Sequence, residues 1–560
     1  MDGNSPRASR SLFRTKPISD LMAEASEKGR GGGLKKTLTA FDLTVFGVGG
    51  IIGTGIFVLT GVAAARYAGP GILLSFVVSG TAAALTALVY AELASMVPVS
   101  GSAYTYSYAA LGEIVAWIIG WDLILEYTVA AGAVAIGWSS YIVTLLAAGG
   151  IHLPAWAIAA PGVAPMVGGV EAGGAAGGAV SGAAGAAGGL GLVNLPAVLI
   201  VLLVTTLLVE GTRESKWFSR IIVMVKVAVV LLFLFLGLRF VRPANWSPFM
   251  PFGWSGVMRG AAVIFFAYIG FDAVSTAAEE VKRPQRDLPV GIIASLAIST
   301  TLYLAVATVL TGMISYRELN TASPIATALL SVGVRWGSAV VSVGAIAGLT
   351  TVLLVNIFGQ SRVFYSMARD GLLPPAFARL HPRLKTPVAT TALTGTVVAA
   401  IAAFLPIGVV AELANIGTLA AFVLVSAGVV VLRHKRPDLA RPFRVPLVPY
   451  LPALAAAFSL YLIANLPPFT WVRFFVWLFI GLGIYFAYGR KSSLLARKAR
   501  GEGTARAKDK AGKPLVGATA RPGMAFEASR ELVPGNQDKA SKMGERPDST
   551  GKPEDGPGYR

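Results

Sequence analysis

Two short glycine-rich stretches interrupt apolar segments that are long enough to cross a membrane. The first runs from Gly47 to Phe57 and reads GVGGIIGTGIF, and the second runs from Phe265 to Asp272 and reads FFAYIGFD. In hydrocarbon an unpaired backbone amide or carbonyl costs several kcal/mol, so a helix can be broken there only where protein or a water-filled cavity receives the freed groups. The two stretches therefore predict a ligand site in the middle of the membrane.

The composition indicates an all-α polytopic membrane protein. Of the 560 residues, 54% are hydrophobic and only 14% are charged, which is far from the balance of soluble domains. A bilayer core of about 30 Å takes about 20 helical residues, and twelve apolar stretches are long enough to cross it. They lie near 40–64, 72–97, 114–148, 193–210, 218–241, 257–280, 289–313, 333–360, 388–406, 411–432, 447–466 and 471–489.

The distribution of lysine and arginine predicts the orientation and the domain organisation. If both termini are cytoplasmic, the basic residues concentrate in the inside connections. The chain then divides into a basic tail (1–38), a twelve-span domain (39–490) with an extracellular Gly/Ala-rich loop (149–191), and a basic tail (491–560) that we predict to be disordered. The net charge of +19 fits attraction to anionic lipid rather than to nucleic acid. We expect a multi-pass protein of the cell membrane, plasma or inner.

A broken helix offers charge-binding groups from its backbone alone. Where the second half of span 1 begins, at Gly53, Thr54 and Gly55, free N–H groups and the positive end of the helix dipole suit a carboxylate. Where the first halves of spans 1 and 6 end, free carbonyls suit an ammonium group. These acceptors are expected at Ile51, Phe266, Ala267 and Ile269. A ligand with both groups a few ångströms apart is an α-amino acid. The structural alternative is that the glycines only allow close helix packing.

These motifs resemble those of the amino acid-polyamine-organocation (APC) superfamily, most closely its cationic amino acid transporter branch. The resemblance rests on GIIGTGIF (50–57), on the stretch from Phe265 to Pro289, and on RDGLLP (369–374), and it covers roughly residues 35 to 490. It implies a LeuT-type fold, with spans 1–5 and 6–10 as inverted repeats, spans 1 and 6 discontinuous, and spans 11 and 12 peripheral. By position, it assigns the carboxylate contacts to the amides of Thr54 and Gly55 and the ammonium contacts to the same four carbonyls.

Lys226 in span 5 and Glu126 in span 3 are the candidate proton-coupling residues. A charged group near the bilayer centre costs on the order of 3 kcal/mol or more, so each needs a partner, a cavity or a function. In the resembling family, a lysine of span 5 occupies the place where sodium-coupled relatives bind Na⁺, and Lys226 matches it by position. A fixed ammonium there repels Na⁺, which favours proton coupling with Glu126 as the candidate partner. The alternative is a static Lys226–Glu126 ion pair that locks two helices.

Asn356 in span 8 is the candidate residue of the side-chain pocket. By position in the resembling family this part of span 8 borders the substrate side chain, and an amide there favours a polar or long basic side chain. An interhelical hydrogen bond away from the site is the alternative.

The sequence has no cysteine and three isolated histidines, so it predicts no catalytic residues, no metal site and no cofactor. It also lacks a Gly-Lys-Ser/Thr phosphate loop, which leaves ATP-driven transport unsupported.

The predicted function is secondary-active amino-acid transport by alternating access, with proton symport as the expected mode and cationic or broad-range amino acids as the expected substrates. An exchanger, a facilitator and an amino-acid sensor share the same site and stay open as alternatives. An enzyme would need convergent catalytic groups, and a channel would need several equivalent filter segments. The expected partners are the amino acid, the proton and the lipid bilayer, and the sequence leaves the oligomeric state open.

Overall fold

A computed structural model describes most of the chain. The described residues are 12–17, 21, 36–97, 102–163, 166–167, 170–171, 191–210, 216–321, 323–382, 384 and 386–500. Most of the predicted Gly/Ala-rich loop and the predicted tail from residue 501 onward lie outside these ranges. Two short helices, Arg490–Ser492 and Leu494–Ala499, follow the last apolar helix, and the predicted start of the tail at residue 491 lies within the first of them.

The described part of the chain is helical apart from two strands of two residues each, Met166–Val167 and Val170–Glu171, which pair antiparallel. The longer helices are α1 (Ala40–Ile51), α2 (Ile72–Met96), α3 (Ser102–Ala110), α4 (Glu113–Ala148), α5 (Leu195–Glu210), α6 (Lys216–Leu238), α7 (Gly253–Ile264), α8 (Pro284–Met313), α9 (Pro324–Ser331), α10 (Arg335–Arg369), α11 (Val388–Phe404), α12 (Ile407–Lys435), α13 (Tyr450–Ala464) and α14 (Pro468–Ile484).

Eight helical runs within the described ranges are long and apolar enough to cross a membrane. They are Gly55–Met96, Glu113–Ala148, Arg220–Leu238, Gly253–Ala278, Pro284–Met313, Arg335–Arg369, Ile407–Lys435 and Pro468–Lys498. Four shorter apolar helices accompany them, namely α1, α5, α11 and α13. The first of the eight runs leaves the helical path at Gly69, whose φ of +60° lies in the region that favours glycine. The protein is therefore a polytopic helical membrane protein.

The packing of the long helices places the broken segments at the centre. Helix α4 lies against α10 and α12, and α8 lies against α1 and α2. Helix α1 begins with a capping box, in which the Thr39 hydroxyl accepts from the Asp42 amide and the Asp42 carboxylate accepts from the Thr39 amide. The amino end of α1 is thus fixed by local hydrogen bonds, whereas its carboxyl end opens into the interior.

A cluster of paired charges forms where the amino-terminal segment 12–17 contacts the helix ends. We call it the terminal cluster, and it consists of Arg14, Lys16, Tyr104, Glu113 and Asp370. The Lys16 ammonium lies 2.9 Å from Asp370, which also accepts from the Tyr104 hydroxyl at 2.7 Å. Arg14 lies 3.3 Å from Glu113. Each buried carboxylate of this cluster therefore has a cation beside it.

Candidate functional site

The first break follows the carboxyl end of α1. Ile52 is extended (φ −72°, ψ 99°), and the chain resumes a helical path with a wide turn over Gly55–Leu59. Thr54, which lies between the two parts, is buried, and its hydroxyl has no hydrogen-bond partner among the described residues. The start of the new helix therefore carries a buried hydroxyl without a partner, and the first N–H groups of a helix have no acceptor within that helix.

The second break follows α7. A tight turn over Phe265–Tyr268 ends in the extended residue Ile269 (φ −59°, ψ 134°), and Gly270 has a φ of +115°. A second tight helix, Asp272–Glu280, then begins. Only glycine is comfortable at this φ, and a Cβ at Gly270 would also lie 2.9 Å from the carbonyl oxygen of Gly50.

The two breaks face each other through their backbones. Gly270 approaches Gly50, and the space beside Gly55 is filled by Ala267, whose Cα and Cβ would overlap a Cβ at Gly55. The glycines of span 1 therefore allow close packing at the same place where they break the helix. The packing interpretation and the site interpretation of the sequence are both compatible with this geometry.

A cavity lies between the breaks and brings together most of the predicted site residues. It is lined by Gly50, Ile51, Gly53, Thr54, Gly55, Glu126, Tyr127, Ala130, Val134, Phe266, Ile269, Gly270, Asp272, Ala273, Val352, Val355 and Asn356. Eight of the ten predicted residues belong to this set. Ala267 and Lys226 do not line it. The lining residues belong to the start of the second half of span 1 and to the ends of the first halves of spans 1 and 6, and helix termini of these two kinds suit a small zwitterion.

Lys226 lies behind the carboxyl end of α1. Its side chain is 1% exposed, and its Nζ donates to the carbonyl oxygens of Gly49 at 2.8 Å and Ile52 at 3.2 Å. Its methylene groups pack against Gly348 of α10, where a Cβ would lie 2.9 Å from the lysine side chain. The ammonium therefore interacts with the negative end of the α1 dipole.

Lys226 and Glu126 form no ion pair in the described structure. Glu126 is buried and lines the cavity, as does Asp272. Asp272 is the first residue of the second tight helix, which follows the break after α7. The Lys226–Glu126 pair that the sequence offered as a structural alternative is therefore replaced by lysine–carbonyl contacts.

Two buried groups near the site were missed by sequence reasoning. Asp122 lies one turn before Glu126 on α4, and its Oδ1 has no hydrogen-bond partner within the described ranges. Tyr303 on α8 donates toward the carbonyl oxygens of Ile51 and Ala267. Asp122 could have been found as a second acid in an apolar span, whereas a single tyrosine in a membrane helix gives no such signal.

Asn356 lies half-buried on the wall of the cavity formed by α10, beside Val352 and Val355. On α4, Ala130 and Val134 contribute further apolar surface, together with the ring of Tyr127. The part of the cavity beyond the helix breaks is thus lined by aliphatic groups, one amide and two carboxyl groups. This surface can contact both aliphatic and basic side chains.

Comparison with known proteins shows which family the chain resembles. A family model described as amino acid permease matches residues 38–485. The chain is 49% identical over 485 residues to the methylthioribose transporter of Bacillus subtilis, covering 87% of this chain and 99% of that protein. It is 50% identical over 487 residues to a branched-chain amino acid permease of Bacillus subtilis, with the same coverage of 87% and 99%.

Relatives from eukaryotes match more distantly. The chain is 36% identical over 439 residues to the human cationic amino acid transporter 4, covering 77% of this chain and 64% of that protein. It is 38% identical over 412 residues to the vacuolar cationic amino acid transporter 4 of Arabidopsis thaliana, covering 72% of this chain and 64% of that protein. These four relatives are named as transporters or permeases.

Proposed function

Because the chain belongs to the amino acid permease family of the APC superfamily, we propose that it is a secondary-active amino acid transporter that takes up its substrate together with protons. The observation that carries this proposal is the cavity between two broken helices, whose lining includes Ile51, Thr54 and Gly55. In this proposal the backbone amides of Thr54 and Gly55 bind the α-carboxylate, and the carbonyls at the ends of the first half-helices bind the α-ammonium group.

The proposed fold has twelve spans. The eight long helical runs and the four shorter apolar helices are consistent with a LeuT-type arrangement of two inverted five-span repeats and two further spans. In this arrangement α1 and the turns up to Ala68 form span 1, and α7 with Asp272–Glu280 forms span 6. Both termini are proposed to be cytoplasmic, and the membrane is proposed to be the cell membrane.

The contacts of Lys226 support proton coupling. Its ammonium occupies the space beside the carbonyls of Gly49 and Ile52, where a metal cation would otherwise find acceptors. When Lys226 gives up its proton, the neutral amine holds the negative end of α1 less strongly, and this half-helix is freer to tilt. Proton loss and gain would thereby be linked to opening of the cavity.

The lining of the cavity supports a broad range of substrates. Val352, Val355, Ala130 and Val134 provide an aliphatic wall, as a branched side chain requires. Glu126, Asp272 and Asn356 provide acceptors for a basic side chain. We therefore propose that both aliphatic and basic amino acids enter the cavity. The chain is more similar to the two Bacillus relatives than to the cationic amino acid transporters, and this favours neutral substrates.

Methylthioribose is a second candidate substrate, because one relative with 49% identity is named as its transporter. Methylthioribose is a neutral sugar derivative and carries neither a carboxylate nor an ammonium group. It would leave the charges of the helix ends without partners, so the geometry of the breaks favours amino acids. Competition between amino acids and methylthioribose for uptake distinguishes these two candidate substrates.

Uptake into proteoliposomes tests the proposal. Labelled leucine, arginine, alanine and methylthioribose are each offered with and without an inward proton gradient, and protein-free liposomes serve as the control. Accumulation of an amino acid only when the outside is more acidic supports symport. Equal exchange with no net accumulation identifies an exchanger, and binding without movement identifies a sensor. Uptake of methylthioribose that amino acids do not compete with would contradict the proposed substrate class.

A further inference from the structure

The hydroxyl of Tyr303 lies between the ends of the two broken helices. Tyr303 is on α8 and is fully buried. Its hydroxyl oxygen is 2.7 Å from the carbonyl oxygen of Ile51 and 2.8 Å from that of Ala267. The first carbonyl is in the last turn of α1, and the second is in the turn that follows α7. One side chain from a third helix therefore touches both breaks.

The hydroxyl has one proton for two acceptors. A tyrosine donates a single hydrogen bond, and both neighbours are carbonyls that can only accept. Each carbonyl also lies near the negative end of its helix, so the two ends repel each other. The shared proton of Tyr303 offsets this repulsion and allows the two ends to lie close together.

Tyr303 approaches these carbonyls from outside the cavity. Ile51 lines the cavity, but Tyr303 and Ala267 are not among its lining residues. A carbonyl oxygen has two lone pairs, so the Ile51 carbonyl can accept from Tyr303 on one side and from a ligand on the other. The carbonyl of Ala267, which the sequence predicted as an ammonium contact, likewise accepts from Tyr303.

Resting on the proposed amino acid transport, we propose that Tyr303 is a positioning residue for the substrate ammonium. It ties span 1 to span 6 so that the Ile51 carbonyl and the carbonyls of Phe266 and Ile269 are held ready on one side of the cavity. An ammonium that enters finds acceptors from two helices in place. Without the tie, binding must first bring the two negative ends together, which lowers affinity.

If Tyr303 has this role, removal of its hydroxyl should lower affinity only for ligands that carry the ammonium group. A ligand that lacks only this group binds through its carboxylate at Thr54 and Gly55 and does not depend on the spacing of the carbonyls. Removal of the Tyr303 hydroxyl therefore weakens an amino acid more than its des-amino analogue. A general loosening of the protein would weaken both ligands alike.

The test is a binding comparison of purified wild type and Tyr303→Phe. Two ligand pairs are measured, L-leucine with 4-methylpentanoate and L-arginine with 5-guanidinopentanoate. We expect the affinity ratio of amino acid to des-amino analogue to fall by about three- to tenfold, the range of one net hydrogen bond. Tyr303→Leu, which also lacks the hydroxyl, provides a second variant and should change the ratio in the same direction.

Tyr485→Phe is the matched control. Tyr485 is also fully buried, and its hydroxyl donates to the carboxylate of Glu113 in the terminal cluster at 3.0 Å. Neither Tyr485 nor Glu113 lines the cavity, so this variant should leave the ratio unchanged.

The outcomes separate the inference from the function on which it rests. If wild type binds neither amino acid, both the proposed function and the role of Tyr303 are wrong. If wild type binds amino acids but the ratio in Tyr303→Phe is unchanged or higher, only the role of Tyr303 is wrong. An equal fall of the ratio in Tyr485→Phe would likewise overturn it.

Discussion

Buried charges are handled differently in the terminal cluster and around the cavity. In the terminal cluster, Lys16 lies beside Asp370 and Arg14 beside Glu113. Around the cavity, the buried acids Asp122, Glu126 and Asp272 have no lysine or arginine within ion-pair distance in the part of the chain that the structure describes. The buried cation Lys226 binds backbone carbonyls rather than a carboxylate.

The difference indicates which buried charges stabilise the structure and which take part in transport. A buried carboxylate with its own cation is static, because breaking such a pair is strongly unfavourable. A buried ionisable group without an opposite charge is costly to keep charged, and in a membrane protein it marks a functional site. Variants in the two regions should therefore affect different properties.

The largest effect is expected from Gly55→Ala. The added Cβ would overlap Ala267, so the second half of span 1 must move away from span 6 and the carboxylate amides would be displaced. Amino acid binding and uptake should be lost, as measured in proteoliposomes. Gly483→Ala on α14 is the control, because a Cβ there has no neighbour within 4 Å. Normal uptake by Gly55→Ala would contradict the backbone site.

Lys226→Ala should separate coupling from substrate binding. Without the ammonium beside Gly49 and Ile52, a proton gradient has no charge to act on at the end of α1. We expect pH-driven accumulation to fall to near the level of protein-free liposomes, while exchange of internal for external substrate is reduced far less. If accumulation and exchange fall together, Lys226 is structural, and the contrast with the terminal cluster disappears.

Lys16→Met should destabilise the protein without changing its coupling. It leaves Asp370 buried beside Tyr104 but without a cation, and removal of one partner from a buried pair costs about 3–5 kcal/mol. Thermal unfolding in detergent should occur at a clearly lower temperature, and the pH dependence of the remaining uptake should match that of wild type. A changed pH dependence would place Lys16 among the functional charges.

The smallest effect is expected from Asn356→Leu. The substitution removes one amide from a wall that already contains Val352 and Val355. Preference for leucine over arginine should increase by about three- to tenfold, the range of one net hydrogen bond, as read from competition of both amino acids for uptake. An unchanged preference would show that the amide faces away from the substrate side chain.

The glycine-rich motifs predicted the helix breaks because the conditions for a break depend on neighbouring residues in the same stretch of chain. Backbone groups released in a membrane need a receiving cavity, and the structure leaves the helical path at Ile52 and at Ile269–Gly270. Helix ends were less predictable. Helix α10 continues to Arg369, nine residues beyond the apolar stretch, because hydropathy reports where lipid ends and not where the helix ends.

The details of the site could not be read from the sequence because they depend on neighbouring helices. Sequence placed Lys226 within an apolar span, yet its acceptors are Gly49 and Ile52, more than 170 positions earlier in the chain. Likewise, the carbonyl of Ala267 accepts a hydrogen bond from Tyr303 on α8. Spacing along one helix contains no information on such contacts.

The amino-terminal segment has a practical consequence for shortened versions of the protein. Residues 12–17 precede the first apolar helix and resemble a dispensable leader, yet Leu12 and Arg14 accept backbone hydrogen bonds from Ile114 and Glu113. A chain trimmed to begin at Thr37 would lack both basic side chains, and Glu113 and Asp370 would lose their countercharges. Purification tags are therefore better attached ahead of residue 12 than substituted for this segment.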